Sequence, residues 1–115
     1  MPRRDPERIE EAEINNVVTC ILADHPTGRM TVKEIRGKFP EYARLSAGDQ
    51  TESVTRAREE LWEQQVRNLK SHEKSSGNIF CEGYVQWIRR GVWEITDVGK
   101  HRVTHLRSSG SYNPA

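Results

Sequence analysis

The first pattern in the chain is an apolar stripe at helical spacing. Its members follow the i, i+3, i+4, i+7, i+8 template of one helix face: Ile14, Val17, Val18, Ile21 and Leu22. Acidic residues occupy the turns before the stripe, where they interact favourably with the helix dipole. The pattern predicts a first helix over about 7–24, which ends because Pro26 disfavours helical conformation in the residue before it.

A second, shorter helix is predicted over residues 32–39. Thr31 and Glu34 have the spacing of a capping box, in which each side chain bonds the other residue's backbone N–H. Pro40 is expected to end this helix, because proline has no N–H to donate. The buried side consists of Val32, Ile35 and Phe39. Between the two helices, residues 29–30 are expected to form a short extended link.

A third helix is predicted over about 50–72. Trp62, Val66 and Leu69 form its apolar stripe, which Val54, Ala57 and Leu61 extend backwards. The opposite face carries arginine and amide side chains, which can make two hydrogen bonds to one base edge. A polar face that only meets water is the alternative reading of such a helix. Turn-forming residues at 75–78 end the segment.

Beyond residue 78 the apolar period falls from 3.6 to about 2, which is typical of strands. Residues 79–88 form the first predicted strand, with a bulge or close approach at Gly83. Residues 89–91 form a turn, and 92–96 return as the second strand, with Trp93 and Ile95 facing inward. Thr96 then caps a last helix that extends to about residue 106.

This order of elements predicts a mainly α fold with a small β-hairpin, of the α+β class. Three helices followed by a hairpin with a basic tip are the arrangement of a winged helix, a variant of helix-turn-helix. We expect a disordered lead-in at 1–6, one winged-helix domain at 7–107 and a flexible tail at 108–115.

Composition narrows the class of protein. A chain of 115 residues with 34% hydrophobic and 30% charged residues has room for one modest core. No apolar run could cross a bilayer and no secretion signal is visible, so we expect a cytoplasmic protein without membrane association. Residues 61–115 carry 8 Lys and Arg against 5 Asp and Glu, a mild positive excess around the third helix and hairpin.

The cysteines and histidines do not form a recognisable chemical site. Cys20 and Cys81 lie in apolar runs, so both are expected to be small buried hydrophobes without a disulfide. A metal site that includes Cys81 or the pair His101 and His105 can be imagined, but the Cys-x-x-Cys spacing of structural zinc sites is missing. We therefore expect no metal and no other cofactor.

Two segments resemble a known family. Residues 90–100, RGVWEITDVGK, are similar to the signature of winged-helix domains attached to modification-dependent restriction endonucleases, including the Mrr N-terminal type. Residues 62–72, WEQQVRNLKSH, resemble the third helix of winged-helix domains found beside HNH nuclease domains. The resemblance implies a domain that reads modified DNA, with N6-methyladenine as the expected modified base. The chain has neither an HNH signature nor an Asp…Glu-x-Lys triad, so we expect a non-catalytic targeting domain whose nuclease domain lies elsewhere in a larger protein.

The expected partner is double-stranded DNA, possibly methylated, with the third helix in the major groove and the hairpin on the backbone. The expected base-reading residues are Gln64, Arg67, Asn68 and Ser71. The expected backbone contacts are Lys70, His72, Lys74, Arg89 and Arg90. Tyr84 and Trp87 are candidates for an aromatic surface against an added methyl group, although core packing is the alternative for any aromatic residue. A transcriptional regulator or a protein-docking domain without modification preference is the alternative function.

Overall fold

A computed structural model describes residues 8–53 and 58–109 of the chain. Within them the chain forms four α-helices and a three-stranded antiparallel sheet, which confirms the predicted α+β class. In chain order the elements are α1 (Glu11–Asp24), β1 (Arg29–Thr31), α2 (Val32–Tyr42), α3 (Leu61–Asn68), β2 (Val85–Arg89), β3 (Val92–Ile95) and α4 (Asp97–Ser108).

The first two helices were predicted closely. The whole apolar stripe of α1 is buried, although the helix begins at Glu11 and not at residue 7. The capping box of α2 is present: Thr31 Oγ1 accepts from Glu34 N at 3.0 Å, and Glu34 Oε1 accepts from Thr31 N at 2.8 Å. Pro40 does not end α2, which continues to Tyr42. So close to the helix end, the missing N–H of Pro40 costs little of the hydrogen-bond ladder, and buried Phe39 anchors the last turn.

The third helix is much shorter than the predicted 50–72. The described residues before it include Arg58 with φ of 66° and an isolated antiparallel bridge between Glu52 and Glu60. The helix begins at Leu61, where Glu60 and Glu63 form a capping box that the sequence reading missed. Val54 and Ala57, predicted to extend the apolar stripe, lie outside the described residues.

The sheet contains a strand that the sequence did not reveal. The predicted link at 29–30 is β1, which pairs with β3 so that the strand order is β1-β3-β2. Three residues with a single buried side chain, Met30, are too few to show a strand period. The hairpin prediction was right for β3 and for Arg90 and Gly91 of the turn, whereas Arg89 belongs to β2.

The predicted strand 79–88 was wrong in its first half, because β2 begins only at Val85. Asn78 Oδ1 accepts from the backbone N–H groups of Phe80 at 2.8 Å and Cys81 at 3.4 Å, which holds this segment in turns. Gly83 lies in these turns with φ of 78°, and the irregularity in the ladder is between Trp87 and Arg89 instead. Consequently Cys81 is exposed, contrary to the expectation of a buried thiol, whereas Cys20 is buried as predicted; both are free.

The core lies between the helices and one face of the sheet. Phe39 of α2 stacks on Trp62 of α3 with centroids 5.1 Å apart, and Phe80 meets Trp93 edge to face at 5.0 Å. Trp93 and Ile95 are buried, as predicted from their shared face.

The last helix is capped as predicted, because Thr96 Oγ1 accepts from Gly99 N at 3.0 Å. It extends to Ser108, the first residue of the predicted tail. The predicted lead-in at 1–6 and residues 110–115 of the tail lie outside the described residues. None of the described helices combines the length and the apolar character that crossing a bilayer requires.

Candidate nucleic-acid interface

The outer side of α3 carries three of the four predicted base-reading residues. Trp62, Val66 and Leu69 are buried as expected, and this turns Gln64, Arg67 and Asn68 towards the partly accessible side, where each is half-buried. Ser71 lies beyond the end of α3 and is exposed. The bond from His72 N to Asn68 O, 3.2 Å, continues the helical course for one more turn.

Arg67 is engaged by a buried carboxylate. Its Nε and Nη2 donate to the two carboxylate oxygens of Glu59 at 2.9 and 3.0 Å, and its Nη1 donates to Asn68 Oδ1 at 3.3 Å. Hydrogen bonding to Glu59 raises the pKa of Arg67, so the guanidinium stays charged. Glu59 also contacts Arg36 of α2 at 3.3 Å. Sequence reasoning missed both Glu59 and Arg36.

The two amide side chains are fixed through their oxygens. Gln64 Oε1 accepts from Ser53 Oγ at 2.8 Å, and Asn68 Oδ1 accepts from Arg67. No described residue accepts a hydrogen bond from the side-chain NH₂ group of Gln64 or Asn68. This side of α3 therefore presents amide donors whose orientation is already set.

The predicted backbone contacts after α3 are partly neutralised. Lys70 Nζ lies 2.7 Å from Glu73, and His72 Nδ1 lies 3.3 Å from Glu11 of α1. Lys74 is exposed and has no ion-pair partner within the described part of the chain. The charge here is mixed, because acidic residues accompany most of the basic ones.

The two candidate aromatics contact different elements. Trp87 lies opposite Trp93 in the β2–β3 pair, and therefore on the same face of the sheet, but it is 50% exposed at the margin of the core. Lys70 Nζ lies 5.8 Å above the Trp87 ring, a cation–π contact that joins the turn after α3 to β2. Tyr84 is half-buried and faces Arg102 of α4, 5.6 Å from its ring centroid.

Arg89 and Arg90 lie at the hairpin tip, and both are exposed. Neither has an ion-pair partner among residues 8–53 and 58–109. Gly91, with φ of 76°, completes the turn, and its carbonyl accepts from Val32 N at 2.8 Å. The tip therefore lies beside the start of α2. Arg89 follows Trp87 by two residues in the same strand, across the irregularity in the ladder.

The described residues do not contain a group of three or more His, Cys, Asp and Glu side chains that could hold a metal ion. What the arrangement offers chemically is hydrogen-bond donors and cations beside an exposed indole ring. No family model, curated protein or solved structure matches the chain.

Proposed function

We propose that this chain is a winged-helix domain that binds double-stranded DNA. In this proposal α3 enters the major groove and the β2–β3 hairpin contacts the sugar–phosphate backbone. The observation that carries the proposal is the contact between Lys70 and Trp87. It brings the turn that follows α3 against β2, the strand that leads to Arg89 and Arg90.

The order of elements supports a winged helix. A short strand precedes the second helix, a hairpin follows the third, and the last strand of the hairpin is central in the sheet. This arrangement braces the hairpin against β1 on one side while α2 packs on α3 through Phe39 and Trp62. The hairpin and the third helix are thereby fixed relative to one another, as recognition of a rigid duplex requires.

The chemistry of α3 suits base edges better than phosphates alone. Amide NH₂ groups of Gln64 and Asn68 can donate to the N7 of adenine, and the remaining N–H groups of Arg67 can donate to guanine. The exposed cations Lys74, Arg89 and Arg90 suit phosphates, whose contacts position a protein without reading sequence.

We further propose that the DNA is modified, with N6-methyladenine as the base read. The support is the resemblance of residues 62–72 and 90–100 to targeting domains of modification-dependent restriction endonucleases. The half-exposed ring of Trp87 offers apolar surface for a methyl group, which makes no hydrogen bond. In this proposal the chain acts in the cytoplasm as a non-catalytic module, and a nuclease domain elsewhere in the protein cleaves the DNA.

Binding to duplex DNA at several salt concentrations tests the proposal. Four Lys and Arg residues in the proposed backbone set predict a slope of log K against log salt concentration of about −3 to −4. The double variant Arg89→Ala/Arg90→Ala should reduce this slope by about 2. Lys38→Ala is the control, because Lys38 is not one of the proposed DNA contacts and its Nζ pairs with Glu41 at 3.7 Å. Absence of a salt-dependent complex would refute the proposal.

The modification is tested with one duplex prepared with and without N6-methyladenine. Tighter binding of the methylated duplex in the parent, with a smaller difference in Trp87→Ala, is expected. Equal affinity for the two duplexes would leave a DNA-binding domain without this preference.

A protein-docking domain is the second candidate, and the ion pairs favour it. Lys70, His72 and Arg67 each have an acidic partner, which lowers their availability for phosphates. The salt series separates the two functions, because a docking domain shows no steep slope on duplex DNA.

A further inference from the structure

We infer that Glu59 positions Arg67 so that it reads a guanine in the duplex; this inference rests on the proposed DNA-binding function. Glu59 is 6% exposed, and its carboxylate binds Arg67 through two parallel N–H···O contacts of 2.9 and 3.0 Å. Such a fork fixes the plane of the guanidinium as well as its place. Arg36 of α2 holds the carboxylate from another side at 3.3 Å.

The hydrogen bonds to Glu59 and Asn68 determine which N–H donors of Arg67 remain available to a ligand. Arginine has five N–H donors. Glu59 takes the Nε donor and one Nη2 donor, and Asn68 takes one Nη1 donor. One N–H on Nη1 and one on Nη2 therefore remain without a partner in these three contacts, and both can donate to an incoming ligand.

Guanine is the base whose major-groove edge can accept from two such donors. It offers two acceptors there, N7 and O6, whereas adenine offers one acceptor and one donor, cytosine a donor, and thymine one acceptor beside a methyl group. Because Glu59 offsets the charge of Arg67, this arginine should contribute more to sequence discrimination than to salt-dependent attraction. Glu59 thus acts as a positioning residue.

A purely structural role for Glu59 is the alternative, since it also joins α2 to the segment before α3. A structural role predicts that loss of Glu59 lowers stability and weakens all DNA binding in parallel. A positioning role predicts loss of guanine reading in a variant that still binds duplex DNA, and Glu59→Asp, which keeps the charge, should also keep the salt slope.

The experiment uses a duplex selected by the full chain from a randomised library. Each guanine of the selected duplex is replaced in turn by 7-deazaguanine, which keeps Watson–Crick pairing but lacks the N7 acceptor. At one position the replacement should weaken binding by the parent protein about tenfold or more, the effect of losing a hydrogen bond to a charged donor.

Three variants then separate the roles of the residues. Arg67→Lys keeps the charge, but its single ammonium cannot bind Glu59 and a guanine in one fixed plane, so it should bind with an unchanged salt slope and lose part of the sensitivity to 7-deazaguanine. Glu59→Gln should lose most of the sensitivity. Arg36→Lys is the matched control on the same carboxylate, and it should keep the sensitivity of the parent. If Glu59→Gln does not fold, Glu59→Asp withdraws the carboxylate while keeping its charge, and it should show the same loss.

Several outcomes would overturn the inference without touching the proposed function. They are a selected duplex in which no guanine N7 affects binding, sensitivity in Arg67→Lys equal to that of the parent, or full sensitivity in a folded Glu59 variant. A parent protein that binds no duplex at all would instead refute the proposed function.

Discussion

Gly99 is the glycine whose replacement should cost most stability. A Cβ built on it would lie 2.7 Å from Ile95 Cγ1 and 2.9 Å from the carbonyl carbon of Tyr84, and would overlap the Tyr84 carbonyl oxygen. That oxygen cannot easily move away, because it accepts from Thr96 N and Thr96 Oγ1, both at 3.0 Å. We therefore expect Gly99→Ala to force α4 away from the residue that leads into β2.

The size of the effect follows from opposing terms. Overpacking costs about 1–3 kcal/mol, and weakening a hydrogen bond costs about 1 kcal/mol more. Alanine in a helix regains up to about 1 kcal/mol relative to glycine. The net loss in the free energy of unfolding is about 1–3 kcal/mol, and with about 100 ordered residues it should lower Tm by about 5–15 °C.

Gly37→Ala is the matched control for this change. Gly37 also lies within a helix, α2, and a Cβ there would meet no atom within 4 Å. It should gain about 0.5–1 kcal/mol and raise Tm by a few degrees. Both variants can be followed by circular dichroism at 222 nm during heating. If Gly99→Ala were as stable as Gly37→Ala, the close approach of α4 to Tyr84 would be wrong.

Three further predictions concern exposed side chains. Of the three tryptophans only Trp87 is substantially exposed, so acrylamide should quench one red-shifted component of the fluorescence emission. Trp87→Phe should remove that component, and duplex DNA should protect it from the quencher. Unchanged quenching in the presence of DNA would place Trp87 outside the interface. In the native protein a thiol reagent should modify exposed Cys81 only, because Cys20 is buried and desolvation raises its pKa to about 11; rapid reaction of two thiols would contradict this packing. Hydrogen bonding to Arg107 lowers the pKa of Asp24 from 3.8. The stabilising effect of the Asp24 carboxylate should therefore be complete above about pH 4 and be lost as the pH falls through its lower folded-state pKa. Asp24→Asn should make Tm depend less on pH in that range, and an unchanged pH dependence of Tm would contradict a stabilising Asp24–Arg107 contact.

Regular helical periodicity was a reliable guide to this fold. The apolar stripe of α1, the capping box of Thr31 and Glu34, and the Thr96 cap of α4 depend on residues close in sequence, and all three were predicted correctly. β1 was missed because its pairing with β3 joins residues more than 60 positions apart. Local patterns do not contain that information.

The errors in the second half have a common physical cause. Side-chain hydrogen bonds to the backbone compete with regular structure. Asn78 holds residues 80 and 81 in turns although their apolar character favours a strand. Glu60 is the N-cap of α3, so the helix begins only at Leu61. The apolar pattern suits a helix of more than 20 residues, but only eight residues are helical. The sequence pattern correctly predicted which side of α3 is buried, through Trp62, Val66 and Leu69, but it overestimated the length of the helix.

The late start of α3 matters for the candidate interface. In one continuous helix Glu59 and Arg67, eight positions apart, would lie about 12 Å apart along the axis and could not form a fork. The chain before α3 instead folds back, with Ser53 N donating to Glu59 O at 2.6 Å and Arg58 at positive φ, and the Glu59 carboxylate reaches Arg67. The same departure from the helical pattern that makes α3 hard to predict therefore creates the contact that orients Arg67.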